Sequence, residues 1–491
     1  MKKVISLAAA AAVCLGVYAQ DAPGNSQIHV FRNDKTFSTY KIADLQSMTF
    51  EGQEGEFVNF IITDNDGKVT SHPMSAVDSC VVRATGLPEF HVTLQDYPNW
   101  TELTGQKDDV HPATIYMVGN GMYDDLPEQT VEFRGRGNST WSMPKKPYRF
   151  KMAKKASVCG LPKAKTFALI ANYIDCTKMR NAIALWIARY FNMPFTNHCV
   201  PVKVYLNGNL KGTYMLTEKI GVGGGSVDIP EETGCLFELD TNYDENYKFK
   251  YGFRSGYSYK ELPVMVKDPD FDELAADETI TSITSAQEYF SKWQSDFTTM
   301  ADAVTSRSST ESLSDVIDID QAVNFFIVNG IVNNHEMKHP KSLYIHKKAL
   351  GTEEKYIFGP VWDFDWAFTF DGVEGAAYNV PMVSADGDGG CGYSFLKLLF
   401  ANQEFRTKYK ERLEDFITNG YPQLKAFMEE YAMLIEPSVK EDGLLWPDNV
   451  YQSWCIVTSG YNFRENFATL KTWIENRLNY MQNHSNYGLY Q

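Results

Sequence analysis

The sequence predicts an α+β protein, a small β-rich module followed by a larger mixed domain, and three observations carry that expectation. Short apolar runs fill positions 27 to about 86, as in Ile28-His29-Val30-Phe31 and Phe57-Val58-Asn59-Phe60-Ile61-Ile62. Beyond residue 90, strand-like alternation mixes with helical spacing: Met179, Ala182, Ile183, Trp186 and Tyr190 form one apolar stripe. With 491 residues, 44% hydrophobic and 14% aromatic, the chain has apolar mass for two or three domains and is poor material for disorder.

Taken in chain order, residues 1–19 read as an export signal. Lys2 and Lys3 precede an apolar stretch from Val4 to Val17, and Val17-Tyr18-Ala19 offers small residues for cleavage after Ala19. The expected destination is periplasmic, cell-surface or secreted. No later segment approaches the roughly 20 apolar residues of a spanning helix, so no transmembrane segment is expected. A formal charge of -16 disfavours nucleic acid as a partner, because the average surface repels phosphate. All cysteines but Cys14 lie beyond the cleavage point, without Cys-x-x-Cys spacing, which gives neither a disulfide framework nor a zinc ribbon. Residues 20–88 form the small β-rich module, punctuated by Asn65-Asp66-Gly67, and Gly86-Leu87-Pro88 marks the boundary to a domain over 89–491.

Within that domain, Asp175 or Thr177 can cap the helix that carries the Met179 stripe, with Arg180 off the stripe. Val202, Val204 and Leu206 alternate up to Asn207-Gly208, the pair that suits a two-residue hairpin turn, and a return strand runs from Tyr214 to Glu218. A second helix begins near Asp320, buries Val323, Phe326, Ile327 and Ile331, and ends at Asn333 and Asn334. Strands follow at Leu343 to His346 and at Tyr356 to Val361, then helical spacing from Phe395 to Phe416 and from Phe463 to Met481. Gly221 to Ser226 reads as a flexible hairpin tip, and Asp386 to Gly392 as a second glycine-rich loop.

Four segments carry candidate chemistry. The first is Arg134-Gly135-Arg136-Gly137-Asn138-Ser139-Thr140-Trp141 with Lys145, Lys146, Arg149 and Lys151 after it. Glycines admit a ligand to backbone amides and the cations suit phosphate oxygens, although a solvated edge strand has the same composition. The second, Glu218, could hold a phosphate-binding lysine or be surface charge. The third and fourth, Asn334 with Glu336 at a helix end and Asp363 with Asp365 at a strand end, are separated by two strands that can return one to the other. Asn334, Glu336, Asp363 and Asp365 are the oxygen donors Mg²⁺ prefers; loop caps or arginine partners are the plainer reading. Overlapping them, His335-Glu336-Met337-Lys338-His339 matches the His-Glu-x-x-His zinc pattern, against which Pro340 pushes His339 out of a helix. Walker loops, serine elbows and dinucleotide fingerprints are missing from the sequence.

Arg134 to Trp141 with Lys146-Pro147-Tyr148-Arg149, then Asn172-Tyr173 with Arg180-Asn181, then Tyr205-Leu206-Asn207-Gly208 with Gly212 and Thr217-Glu218, then Trp362-Asp363-Phe364-Asp365, resemble in this order the CotH family of spore-coat-type, kinase-like proteins. The small N-terminal module resembles leaders on Bacteroidota members. The resemblance implies a divergent two-lobed protein-kinase-like domain, ATP with Mg²⁺ (or Mn²⁺ or Ca²⁺), and a protein acceptor in the cell envelope or outside the cell. It also implies Asp363 and Asp365 as metal ligands, and Asn334 and Glu336 as the neighbouring element, with Glu336 in place of the usual aspartate. Arg134, Arg136, Lys146, Arg149, Lys151 and Arg180 would face the nucleotide and Glu218 would orient one of them. Two other classes stay open: a kinase-shaped binding or adhesion module without catalysis, and a zinc hydrolase using His335, Glu336 and His339.

Overall fold

The structure is a computed structural model that describes residues 27–33, 37–53, 56–83, 86–120, 122–271, 286–368, 377–382, 390–452, 455–484 and 487. The expected signal over 1–19 and most of the loop at 386–392 lie outside the described residues.

The N-terminal module is all β, as its alternation requires. β1 (Gln27–Arg32), β2 (Phe37–Lys41), β3 (Leu45–Gln53), β4 (Glu56–Asp64), β5 (Val69–Pro73) and β6 (Val77–Arg83) form two antiparallel three-stranded sheets, ordered β2-β1-β6 and β3-β4-β5. Ile28, Val30, Phe60 and Ile62 are its buried core. The turn between β4 and β5 closes at Gly67 with a φ of 78°, where its N–H donates to Asp64 O at 2.9 Å.

After Pro88 begins a closed seven-stranded barrel: β7 (Glu89–Leu94), β8 (His111–Val118), β9 (Leu126–Gly135), β10 (Tyr148–Ala156), β11 (Ala164–Ile170), β12 (Val200–Leu206) and β13 (Asn209–Glu218). The order around it is β10-β11-β13-β12-β7-β8-β9, closed by pairing of β9 with β10. Only β12 with β7 is a parallel pair. Alternate residues fill the interior, among them Phe90, Ile115, Phe133, Phe150, Phe167, Val202 and Leu216, while their neighbours face out. The expected hairpin turns at Asn207-Gly208, with φ of 48° and 77°. Between β11 and β12 the chain leaves the barrel to form α1 (Arg180–Tyr190).

The second core is larger and helical. A five-stranded sheet, ordered β15-β16-β14-β17-β18, contains β14 (Cys235–Leu239), β15 (Lys248–Ser255), β16 (Ser258–Asp268), β17 (Leu343–Lys347) and β18 (Ile357–Phe358). Around it pack α2 (Ala286–Ser306), α3 (Ile319–Val332), α4 (Cys391–Ala401), α5 (Gln403–Asp415), α6 (Tyr421–Leu445) and α7 (Phe463–Asn483). α3 begins where Asp318 accepts from Gln321 N at 3.0 Å and ends with Asn333 in the left-handed region, and it is buried on nearly every face. Among the described residues no helix is long and apolar enough to cross a membrane.

Two features depart from expectation. The run at Gly221 to Ser226 is not a hairpin tip; it joins the barrel to β14, tied by Gly221 N donating to Ser226 Oγ at 3.0 Å and by a parallel bridge from Val222 to Val227. Arg180 is off the apolar stripe yet 3% exposed, because α1 is enclosed between the barrel and the helical body.

Candidate functional site

Between the barrel rim and the helical body lies a polar cavity of about 630 Å³. Its barrel wall is the turn between β9 and β10. Gly135 is required there because a Cβ would sit 2.4 Å from the Trp141 ring, and Gly137, with a φ of 80°, would place one 2.1 Å from Thr140 Oγ1. The tight turn sends Arg136 into the cavity, its guanidinium 5.7 Å from the Trp362 ring centroid and facing Asp363 and Asp365. Arg134, at the rim, donates to Asp108 Oδ1 at 2.7 Å.

The opposite wall is acidic. Glu336 comes from a single 3-10 turn, His335–Met337, just past α3. Asp363 follows β18 and holds a φ of 61°, a left-handed conformation that aspartate tolerates better than most residues. Asp365 is 2% exposed. Asp240 and Glu238, at the end of β14, and Lys341 complete this side.

α1 fixes the aspartates. Its first turn is capped by Asp175, whose Oδ2 accepts from Arg180 N at 2.9 Å. From there Asn181 spans the Asp363-to-Asp365 segment: its Oδ1 accepts from Phe364 N at 3.0 Å and its Nδ2 donates to Asp365 Oδ1 at 2.8 Å. Arg180 Nη1 donates to the Asp365 carbonyl at 2.8 Å.

Electrostatics follow from crowding acids in a poorly solvated place. Burial, then the charge of Asp363, pushes the Glu336 carboxyl up to about 8, with Lys341 opposing. Burial, then Asp363 and Asp175, pushes Asp365 up to about 7 against Arg180 and the Asn181 hydrogen bond. Asp363 is also raised, by burial, with Arg136 pulling the other way. Such a set is relieved by protons or by a cation. Among the described residues no three His, Cys, Asp or Glu side chains stand as a group that could hold a metal ion. A magnesium ion is commonly held through one or two carboxylates, with water and phosphate oxygens supplying the rest. Asp363 and Asp365 fit that donor set, and a hydrolytic zinc, which takes three protein ligands, does not.

The remaining sequence candidates lie elsewhere. Asn334 is buried with both ends of its carboxamide engaged: Nδ2 donates to Asn329 Oδ1 at 2.9 Å and Oδ1 accepts from Glu336 N at 3.1 Å. It shapes the turn that carries Glu336 and does not line the cavity. Lys146 turns back on its own loop, donating to Trp141 O at 2.6 Å with its ammonium 5.3 Å from that ring. Arg149 sits opposite Arg134 on the neighbouring strand, outside the cavity wall. Lys151 points to solvent, 3.6 Å from Glu132. Glu218 orients no cation of the cavity: it is 1% exposed and accepts from His198 N at 2.9 Å, with Oε1 on His198 Nδ1. Burial works against that carboxylate, but the His198 bonds hold it below its ordinary value. Arg180 acts on the Asp365 backbone and is not in the cavity wall. The His-Glu-x-x-His pattern spans a 3-10 turn that ends at Lys338, so His335 and His339 do not share an α-helical face.

Sequence reasoning gave no role to Asn181, Asp240, Glu238, Lys267 or Lys341. A signal existed for two of them, since Glu238 and Asp240 stand at i and i+2 at a strand end, the spacing that turns two side chains to one face. Lys267 bridges Glu238 at 3.3 Å and Glu245 on the cavity wall, a contact between distant strands without a local signature.

Residues 132–481 match the family described as CotH kinase protein, well over half of the chain, and the chain belongs to that family. Among curated proteins no relative matches it.

Proposed function

We propose that this CotH-family chain is an exported phosphotransferase that moves the terminal phosphoryl group of ATP to a protein acceptor outside the cytoplasm, with Mg²⁺ (or Mn²⁺ or Ca²⁺) bound. The observation that carries the reading is the convergence of Glu336, from one segment, with Asp363 and Asp365, from another, on one cavity facing Arg136. In this reading the closed barrel and the helical body are the two lobes of a divergent kinase-like domain, and the export signal at 1–19 takes the protein across the membrane.

Asp363 and Asp365 would hold the metal, whose chemistry is to neutralise charge on the phosphate oxygens. Arg136, with Arg134 at the rim, supplies positive charge to the same phosphates. Glu336 would accept the proton of the acceptor hydroxyl; burial and Asp363 hold its carboxyl up at about 8 in the metal-free site, with Lys341 opposing, so the ionised form that role needs would depend on the charge of a bound cation. Asn181 and Arg180 keep Asp365 in one orientation. Phosphoryl transfer depends mainly on such positioning and charge placement.

The test is incorporation of label from γ-labelled ATP by the purified mature protein, with Mg²⁺ or Mn²⁺, into itself and a panel of extracytoplasmic proteins. Wild type is expected to incorporate phosphate, and Asp363→Ala to lose about 10²- to 10³-fold, the effect of removing a main electrostatic group, while keeping its unfolding midpoint. Equal silence of both proteins, with nucleotide binding intact, would replace catalysis by a binding-module role.

A further inference from the structure

A chain of buried contacts runs from helix α6 to the aspartate pair. It starts at Asp442, 1% exposed, whose Oδ2 lies 3.4 Å from Lys178 Nζ. Lys178 Nζ also donates to the Asn172 carbonyl at 2.9 Å. Asn172, in the cavity wall, accepts on Oδ1 from Asn181 Nδ2 at 3.1 Å, and that same amide group donates to Asp365 Oδ1.

We infer that Lys178, anchored by Asp442, is a positioning residue for Asp365, acting through Asn172 and Asn181. This rests on the reading of Asp365 as part of the phosphotransfer site.

Two observations support it beyond proximity. The connector between β11 and α1 carries Asn172 at a φ of 46° and Lys178 at 56°, and a lysine in the left-handed region persists only where its surroundings over-determine it. Here the buried ammonium, 5% exposed, over-determines it by reaching a carboxylate and a carbonyl together. Secondly, the anchor is itself fixed: Asp442 Oδ1 accepts from Lys145 Nζ and from Thr213 N at 2.8 Å, while Oδ2 faces Lys178 at 3.4 Å. Lys178 therefore ties the Asn172 carbonyl to a carboxylate that the barrel also holds. An amide whose neighbours are fixed cannot rotate, so Asn181 meets Asp365 in one pose, as outer partners of metal ligands do.

The experiment compares wild type with Lys178→Met, and with Ser438→Ala as control. Ser438 Oγ bonds Thr213 Oγ1 at 2.6 Å, so the control removes a contact between α6 and the barrel that lies outside the chain. Deuterium uptake over residues 363–366 and Mg·ATP affinity by calorimetry are read on folded protein. Lys178→Met is expected to exchange about ten-fold faster over 363–366 and to bind Mg·ATP about ten-fold more weakly, the lower end for loss of an outer partner, with Ser438→Ala like wild type in both. Unchanged uptake in Lys178→Met, or equal loosening by Ser438→Ala, overturns the inference. If Lys178→Met does not fold, Lys178→Gln, which keeps a polar group at that position and leaves the Lys145–Asp442 pair intact, decides on the same readings. Should wild type bind no Mg·ATP, the phosphotransfer reading fails while the exchange comparison still decides the positioning role.

Discussion

The barrel wall of the cavity and the helical-body wall carry opposite charge, and they hold it differently. On the barrel the cations sit on a strand pair whose side chains alternate between interior and outside, so most are directed away: Lys151 lies on the solvent face while Phe150 and Met152 fill the interior. Arg134 of β9 reaches the rim, and the turn, where alternation stops and glycines let the backbone bend, sends Arg136 further inward. On the helical body Glu336, Asp363 and Asp365 stand on irregular segments, and Asp365 is fixed by a side chain of another element, Asn181 of α1. A regular sheet distributes charge by parity; an irregular segment aims it, provided something buried holds it. Positive charge in this site is therefore sparse and local, and negative charge is concentrated and supported.

Lys145 is the hardest case for that contrast, because it is a barrel cation that the helical body buries completely. If burial makes it structural, Lys145→Met lowers the unfolding free energy by about 3–5 kcal/mol, the effect of breaking a buried pair, measured by urea denaturation. A loss under about 1 kcal/mol, the range of exposed pairs, would break the distinction. Next in size, Arg136→Ala should weaken Mg·ATP binding by about 10- to 100-fold, equivalent to one charge-assisted contact, in a calorimetric titration. A response no larger than that of Arg149→Ala would mean that the turn does not select which cation faces the ligand.

A smaller effect concerns pH. Burial pushes the Glu238 carboxyl up to about 7, with Lys267 opposing. The folded protein thus keeps a proton that the unfolded chain releases near 4.5. The associated stability is present below that pH and is lost as pH rises through about 7. Glu238→Gln should flatten the fall in metal-free unfolding midpoint between pH 4.5 and 7; an unaltered slope would place the titration elsewhere. Smallest of all, Lys151→Ala should change nucleotide affinity by less than about two-fold, as expected of an exposed charge.

How much of this was legible depended on sequence distance. The Asn207-Gly208 hairpin, the α3 boundaries and the pairing of the Glu336 turn with Asp363 and Asp365 were readable, because each is set by neighbours or by one short return of the chain. Asn334 was misread because its spacing to Glu336 fits both a ligand and a cap, and only the Asn329 contact tells them apart. Glu218 and Lys146 were misread because an acid at a strand end and a lysine beside a basic turn look alike whatever they face.

The sequence by itself determined the local grammar: the alternation of the N-terminal strands, the hairpin turn, the helix caps, the glycines of the β9–β10 turn and the clustering of Asp363 with Asp365. Tertiary structure alone decided that β9 and β10 close a barrel, that Asp442 of α6 meets Lys145 and Lys178, and that Asn181 faces Asp365. The physical reason is that turn and cap energies depend on a few adjacent residues. Which buried polar groups satisfy one another across 184 or 297 positions is settled only when the whole chain packs and leaving them unpaired becomes costly.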